Sequence, residues 1–160
     1  MTTIRPPRLP DDKPAFLAFI DGLQAFEHGF EPDRRLDATV AAEHFARLEH
    51  EIAEKGGAIF VAEGPDGAAV GWAVVHENLR PGFVVAAERR VAYIAELYLV
   101  EAARGRGGGR ALIAACEDWA RARGIGVVMI GVLAGNRAAH AVYAGAGYAD
   151  YALELRKKLS

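Results

Sequence analysis

Residues Arg104 to Arg110 read RGRGGGR, three consecutive glycines set among three arginines. The stretch lies between an apolar strand-like run, Val91 to Val100, and an amphipathic helical pattern from Gly109 to Arg123. Glycine has no Cβ and tolerates positive φ, so such a turn can bare its backbone N–H groups to an anion. The helix that follows adds the partial positive charge of its N-terminus, and the arginines add full ones. A pyrophosphate is the anion that this turn is read to cradle.

Other chemistries fail on residue supply. The only serine is Ser160 and the only threonines are Thr2, Thr3 and Thr39, and there is no G-x-S-x-G elbow, so a serine acyl-enzyme has no nucleophile. Cys116 falls on the apolar side of its helix, where a small buried hydrophobe is expected instead of a reactive thiolate. His28, His44, His50, His76 and His140 form no H-E-x-x-H or paired Cys/His spacing, so no metal is expected. An enzyme built from this chain would transfer a group directly between bound partners.

The glycine turn can also be tested against known phosphate loops. A Walker-type loop needs Gly-Lys followed by Ser or Thr, and neither follows. A dinucleotide fingerprint needs glycine or alanine where Arg110 stands, and an acid about 20 residues on, where the apolar run at Val127 sits.

Composition sets the frame. A chain of 160 residues, 52% hydrophobic and 25% charged, has the length and balance of one globular domain, and residues 1–160 are read as such. The formal net charge of −2 gives no general attraction for nucleic acid or anionic membrane, so neither partner is expected and any phosphate must be met locally. The N-terminal stretch is charged and broken by prolines, and no apolar run reaches membrane-spanning length, so a cytoplasmic location is the expectation.

The elements that must position these residues can be followed along the chain. Thr2–Arg5 reads as a short edge strand. Asp11 and Asp12 offer an N-cap, with Pro14 in the first turn of a helix whose apolar stripe runs from Phe16 to Phe26. A charged loop spans Glu27–Asp37, and a second helix spans Ala38–Lys55, closed by Gly56-Gly57. Strands Ala58–Glu63 and Val70–His76 flank a hairpin turn, Gly64 to Gly67. Residues 78–89 are a connection, partly extended through Phe83–Ala86. The near-unbroken apolar run Val127–Leu133 predicts a central strand covered on both faces. A short helix, Arg137–Ala144, and a last alternating strand, Tyr148–Leu155, complete an α/β chain with a mixed sheet.

Two segments together resemble one family. Arg104, Gly107 and Gly109 form an Arg-x-x-Gly-x-Gly pattern, and Asn136, Ala139, Tyr143 and Gly147-Tyr148 form Asn-x-x-Ala-x-x-x-Tyr-x-x-x-Gly-aromatic. Both resemble signatures of the GNAT superfamily of N-acetyltransferases, from about Ala92 to Leu155; the first half matches only in its order of elements. The resemblance implies an α/β (α+β) fold with a mostly antiparallel mixed sheet, helices on both faces, and a splayed parallel strand pair forming the cofactor cleft.

It also implies roles. Arg104, Gly105, Arg106, Gly107, Gly108, Gly109 and Arg110 would bind the pyrophosphate of acetyl-CoA through their amides. Leu97, Tyr98 and Leu99 would pair with the pantetheine arm, and Asn136 would contact that arm as well as, or instead of, capping a helix. Tyr143 resembles the family's general acid. Glu96 is the candidate base: it interrupts an apolar strand, where a carboxylate is costly unless it faces a polar cleft, and structural pairing with an arginine, or a water chain as base, remains open. Members often carry the acid one residue earlier, where this chain has Ala95. Substrate recognition falls to the charged loop, through Glu27, His28 and Glu31.

The implied activity is EC 2.3.1-type acetyl transfer to the primary amine of a small molecule such as a polyamine, an amino acid derivative or an aminoglycoside. A protein N-terminal or lysine acetyltransferase and a non-catalytic CoA-binding module are the alternatives. Homodimers are common in the superfamily, and a homodimer is kept open here.

Overall fold

The computed structural model describes residues 2–159. Its sheet has five strands in sequence order: β1 (Thr3–Arg5), β2 (Gly57–Glu63), β3 (Ala69–Leu79), β4 (Arg90–Leu99) and β5 (Val128–Ile130). The first four pair antiparallel, and β5 joins β4 in parallel. A parallel neighbour needs a crossover, here supplied by helix α3 (Gly108–Ala122).

Helices α1 (Lys13–His28) and α2 (Val40–Lys55) cover one face of the sheet. Phe16, Phe19 and Ile20 from α1 and Phe45 and Leu48 from α2 close over Val61, Trp72 and Val74. Phe16 stacks on Trp72 with ring centroids 4.8 Å apart. Helix α3 covers the other face. Its Leu112, Cys116, Trp119 and Ala120 recur at helical spacing and pack on Ala73, Val75, Ala92 and Ile94. Helix α4 (Arg137–Gly145) follows β5 and ends on Gly147, whose φ of +95° only glycine adopts freely. The fold is thus the mixed, mostly antiparallel sheet with helices on both faces that the resemblance implies.

Four expectations are corrected. Asp12 occupies the N-cap of α1 without its side chain bonding the helix, because its carboxylate is taken by Arg5 at 2.7 and 2.9 Å and by the Arg8 amide at 2.6 Å. Strand β3 runs on to Leu79, and residues 83–86 form no strand; Val84 N–H closes a turn onto Pro81 O at 3.0 Å, and a 3₁₀ turn follows at Ala86–Glu88. Strand β5 pairs over three residues only, each half-buried, because it parts from β4 after Ile130 and nothing pairs with its outer edge among the described residues. The segment Tyr148–Leu155 forms no strand, since no described neighbour pairs with it.

Candidate functional site

The site begins with an irregularity in β4. Val74 pairs with Glu96 and Val75 with Ile94, so Ala95 is an extra residue with no partner on β3. Side chains on a strand alternate between faces. Ala92 and Ile94 face α3, and beyond the bulge Leu97 and Leu99 do so again. Ala95 packs with the core beneath α1 and α2, and Glu96, opposite Val74 of that core, turns to the same face. An unbulged strand would press the carboxylate into the apolar face of α3.

On this face Glu96 is 7% exposed and bonded to His44 Nε2, a residue 52 positions earlier on α2. Arg47 donates to His44 Nδ1 at 3.1 Å. That bond makes Nδ1 the acceptor, so Nε2 carries the hydrogen that Glu96 accepts. His44 was not among the predicted site residues. No local pattern links it to Glu96, and only the packing of α2 on the sheet does.

The second feature is an opening. The β4–β5 pairing covers Ala92–Val128, Tyr93–Met129 and Ile94–Ile130, and stops at the bulge. Val100 N–H points to β3, donating to Val70 O at 2.9 Å. By alternation the main-chain groups of Leu97 and Leu99 point the other way, to where β5 has parted. Leu99 O there accepts from Arg104 Nε at 3.0 Å. The result is a strand edge with free ladder positions between two splayed strands.

The glycine turn stands at the end of this edge. Gly105 and Gly107 take φ of +73° and +82°, a region that a side chain resists. Gly108 opens α3 so close to β4 that an added Cβ would lie 3.3 Å from Leu99 Cδ1. Among the described residues, the amides of Gly105, Arg106 and Gly107 donate to no main-chain or side-chain acceptor. Gly107 caps α3 with no side-chain bond, leaving the first amides of the helix to solvent. The turn therefore presents a run of unpaired donors at a helix N-terminus.

The three arginines divide. Arg104 turns back over the strand end, its guanidinium 5.2 Å from the Phe26 ring and 5.6 Å from that of Tyr98. Arg110 bonds Gly145 O, tying the start of α3 to the end of α4. Arg106 makes no hydrogen bond or ion pair among the described residues, so its charge is the uncommitted one.

Asn136 is 7% exposed and caps α4, its Oδ1 accepting from Ala139 N–H at 3.1 Å. The cap leaves its amide NH2 for another acceptor. Two turns on, Tyr143 is half-buried, and burial, followed by the charge of Glu27, pushes its phenol up to about 12. Its ring centroid lies 6.4 Å from that of Tyr148, whose hydroxyl is buried without a hydrogen-bond partner. Cys116 is buried and pushed up to about 12 by desolvation, which keeps it a thiol.

The charged loop pairs internally. Arg34 bonds Glu27 and Asp33, both at 3.0 Å, and its carbonyl meets His28 Nδ1 at 2.9 Å. Glu31 pairs with Arg156 at 2.6 Å. The loop lies against the cleft: an added Cβ on Gly135, beyond β5, would meet the Phe30 ring at 3.2 Å. The structure thus gathers the glycine turn, the Leu97–Leu99 edge and Glu96 at one end of β4. Glu27 to Glu31 border the cleft with their charges already matched.

Comparison with known proteins bears on this geometry. Residues 20–148 match the acetyltransferase (GNAT) family model. Aminoglycoside N(6')-acetyltransferase type 1 from Klebsiella aerogenes is 34% identical over 95 residues, covering 59% of this chain and 61% of that enzyme. The match therefore spans less than two thirds of that relative. A mutant form of a Bacillus halodurans protein superposes with a TM-score of 0.85 at 18% identity, covering 99% of each chain. AAC(6')-Iy, solved with the bisubstrate analogue CoA-S-monomethyl-acetylneamine, superposes with a TM-score of 0.66 at 22% identity, again over 99% of each. At such identities the two structures establish the fold.

Proposed function

Because the chain belongs to the GNAT family of acetyltransferases, we propose that it moves an acetyl group from acetyl-CoA to a primary amine of a small molecule, by direct attack in a ternary complex. That it is an N-acetyltransferase of the EC 2.3.1 type follows from the family and its aminoglycoside-acetylating relative. The observation that carries the finer reading is the run of unpaired amides at Gly105–Gly107, continuous with the open edge at Leu97 and Leu99. A diphosphate suits the first, and an extended amide chain suits the second.

Acetyl-CoA supplies an activated acetyl group and a thiolate leaving group. In this proposal the amides of residues 104–110 hold its diphosphate, with Arg106 adding charge. Leu97 and Leu99 pair with the arm, Leu99 N–H polarises the thioester carbonyl, and the Asn136 amide steadies the arm from the β5 side. An amine arrives protonated and must lose a proton before attack. Glu96 receives it, with His44 holding the carboxylate by one oxygen and leaving the other free. Tyr143 stands by the departing sulfur. With its phenol near 12, full transfer to a thiolate of pKa about 8.5 is uphill by roughly 5 kcal/mol. Donating a hydrogen bond to the sulfur is therefore the role that fits Tyr143.

The small-molecule assignment rests on the relative that acetylates aminoglycosides and on the matched charges of the Glu27–Asp33 loop, which suit a polar acceptor. The cytoplasm, where a buried free thiol such as Cys116 stays reduced, is our assignment of compartment. The test is thiol release from acetyl-CoA with a panel of aminoglycosides, polyamines, amino acid derivatives and lysine peptides. Turnover with a small amine is expected. Turnover confined to peptides would move the substrate class to proteins, and CoA binding with no turnover by any amine would leave a binding module.

A further inference from the structure

Helix α2 carries a row of polar side chains. His44, Glu51 and Lys55 stand seven and four positions apart, which puts them on one side of the helix. The row starts at Glu96, which His44 Nε2 meets, and continues at His76, whose Nε2 lies 3.5 Å from Glu51 Oε2. His76 in turn faces Tyr93 across the β3–β4 ladder, with ring centroids 5.8 Å apart. Tyr93 therefore shares a face of β4 with Glu96, about 10 Å along the strand. Its hydroxyl reaches β5, where an added Cβ on Gly131 would lie 3.1 Å away, so the ring spans the two strands just before they part.

The row ends at an open cavity of about 680 Å³, lined by Val91, Tyr93 and Met129 on its apolar side and by Lys55, Asn78 and Arg80 on its polar side. Its positive charge is loosely committed. Glu77, the acid on its wall, is held by Arg90 at 2.7 and 3.1 Å. Lys55 Nζ is 3.8 Å from Glu51, whose carboxylate also draws Arg47 and His76 at 3.5 Å each. Arg80 bonds the Tyr151 hydroxyl and meets no carboxylate among the described residues. Two such cations attract a single anion and repel a molecule with ammonium groups spread along its length.

We propose that this cavity binds the far end of the acceptor, and that the acceptor is a primary amine carrying an anion, a carboxylate or a phosphate, about 10 Å from its nitrogen. The inference rests on the reading of Glu96 as the group that faces the amine. With its nitrogen at Glu96, an extended molecule running along β4 passes over Tyr93 and Met129 and brings its anion to Lys55 and Arg80. Its middle is apolar, to match Val91, Tyr93 and Met129. Lys55 and Arg80 are then the residues that set specificity: they hold the anion and disfavour polyamines and aminoglycosides.

The experiment compares four acceptors of one length: an unbranched eight-carbon ω-amino carboxylate, the matching ω-amino phosphate, the plain alkylamine and the diamine. Acetyl transfer is followed by thiol release. Binding is measured separately by calorimetry with CoA in place of acetyl-CoA, so that no reaction occurs. The better of the two anionic amines is expected to exceed the alkylamine about tenfold in kcat/KM and in affinity, with the diamine weakest. Lys55→Met with Arg80→Met should bring that ratio to about one. Lys55→Glu with Arg80→Glu should turn the preference toward the diamine, both variants keeping their far-ultraviolet circular dichroism. Anionic amines that bind with this preference but are not acetylated would remove the transfer reading and leave the cavity assignment standing. Equal affinities for all four, no binding of any, or a preference that both double variants retain would overturn the inference.

Discussion

Strand β4 is two different objects on either side of Ala95. Before it, Val91 to Ile94 bond β3 on one edge and meet β5 on the other, with Ala92 and Ile94 buried against α3. After it, Leu97 to Leu99 bond β3 alone and present their second edge to a cleft. The residue types barely change; the pairing does. The lesson is that an open edge is made by withdrawing a neighbour: one extra residue re-aims Glu96, and the parting of β5 frees the hydrogen-bonding groups beyond.

The sharpest way to break this contrast is at the end of the open half. Gly107→Asp puts a negative charge and a side chain at φ +82°, a backbone strain of about 1–2 kcal/mol to which the open space around the Cβ, with nothing within 4 Å, adds no clash. Acetyl-CoA affinity by calorimetry should fall about 100-fold or more, and a folded variant with wild-type affinity would remove the cradle. Next, Tyr143→Phe should lower kcat by about 100-fold while leaving KM for acetyl-CoA within about twofold. Equal turnover would deny the hydroxyl any part in the reaction.

The closed half should fail differently. Ile94→Ala, emptying a buried position facing α3, should cost about 2–4 kcal/mol in denaturant unfolding and leave acetyl-CoA affinity intact. A loss of affinity without a loss of stability would dissolve the distinction between the halves. Glu96→Gln keeps shape and removes the proposed base, so kcat/KM should drop about tenfold or more with stability held. A fall in stability with undiminished turnover would mark Glu96 as structural.

The smallest effect concerns His76, which sits opposite Tyr93 in the closed half. Burial, helped by the charge of Lys55, holds its imidazole below the ordinary histidine value. The unfolded chain therefore takes up this proton at higher pH than the native one. Stability is full above about pH 6.5 and declines as pH falls toward the native value. The denaturation midpoint should drop between pH 7 and 5, and His76→Gln should flatten that slope. An unchanged slope in the variant would assign the decline elsewhere.

Much of this was legible in the residues. Gly56 closes α2 and Gly107 sits in the bared turn because their φ values are favourable for glycine alone. The apolar stripes of α1, α2 and α3 appear at helical spacing, and the Gly64–Gly67 hairpin is set by its own turn residues. Less was legible where the deciding partner is remote. Asp12 reads as a cap, yet Arg5 claims its carboxylate. Val127–Leu133 reads as a buried strand, yet its neighbour departs after Ile94. Tyr148–Leu155 alternates as a strand should, and pairing, which the segment cannot supply itself, is missing.

By itself the sequence determined what each residue can do within reach of its own neighbours: where the backbone may turn left-handed, which helix face is apolar, and where donors are left bare ahead of α3. Only the tertiary structure decided which groups meet: Glu96 turned by a bulge toward His44, Arg104 folded over Phe26 and Tyr98, and the charges of the Glu27–Asp33 loop matched by Arg34 and Arg156. The physical reason is range. Dihedral preference and side-chain periodicity act over a few residues, whereas hydrogen-bond registry and ion pairing join positions dozens apart, and their outcome depends on every element packed between them.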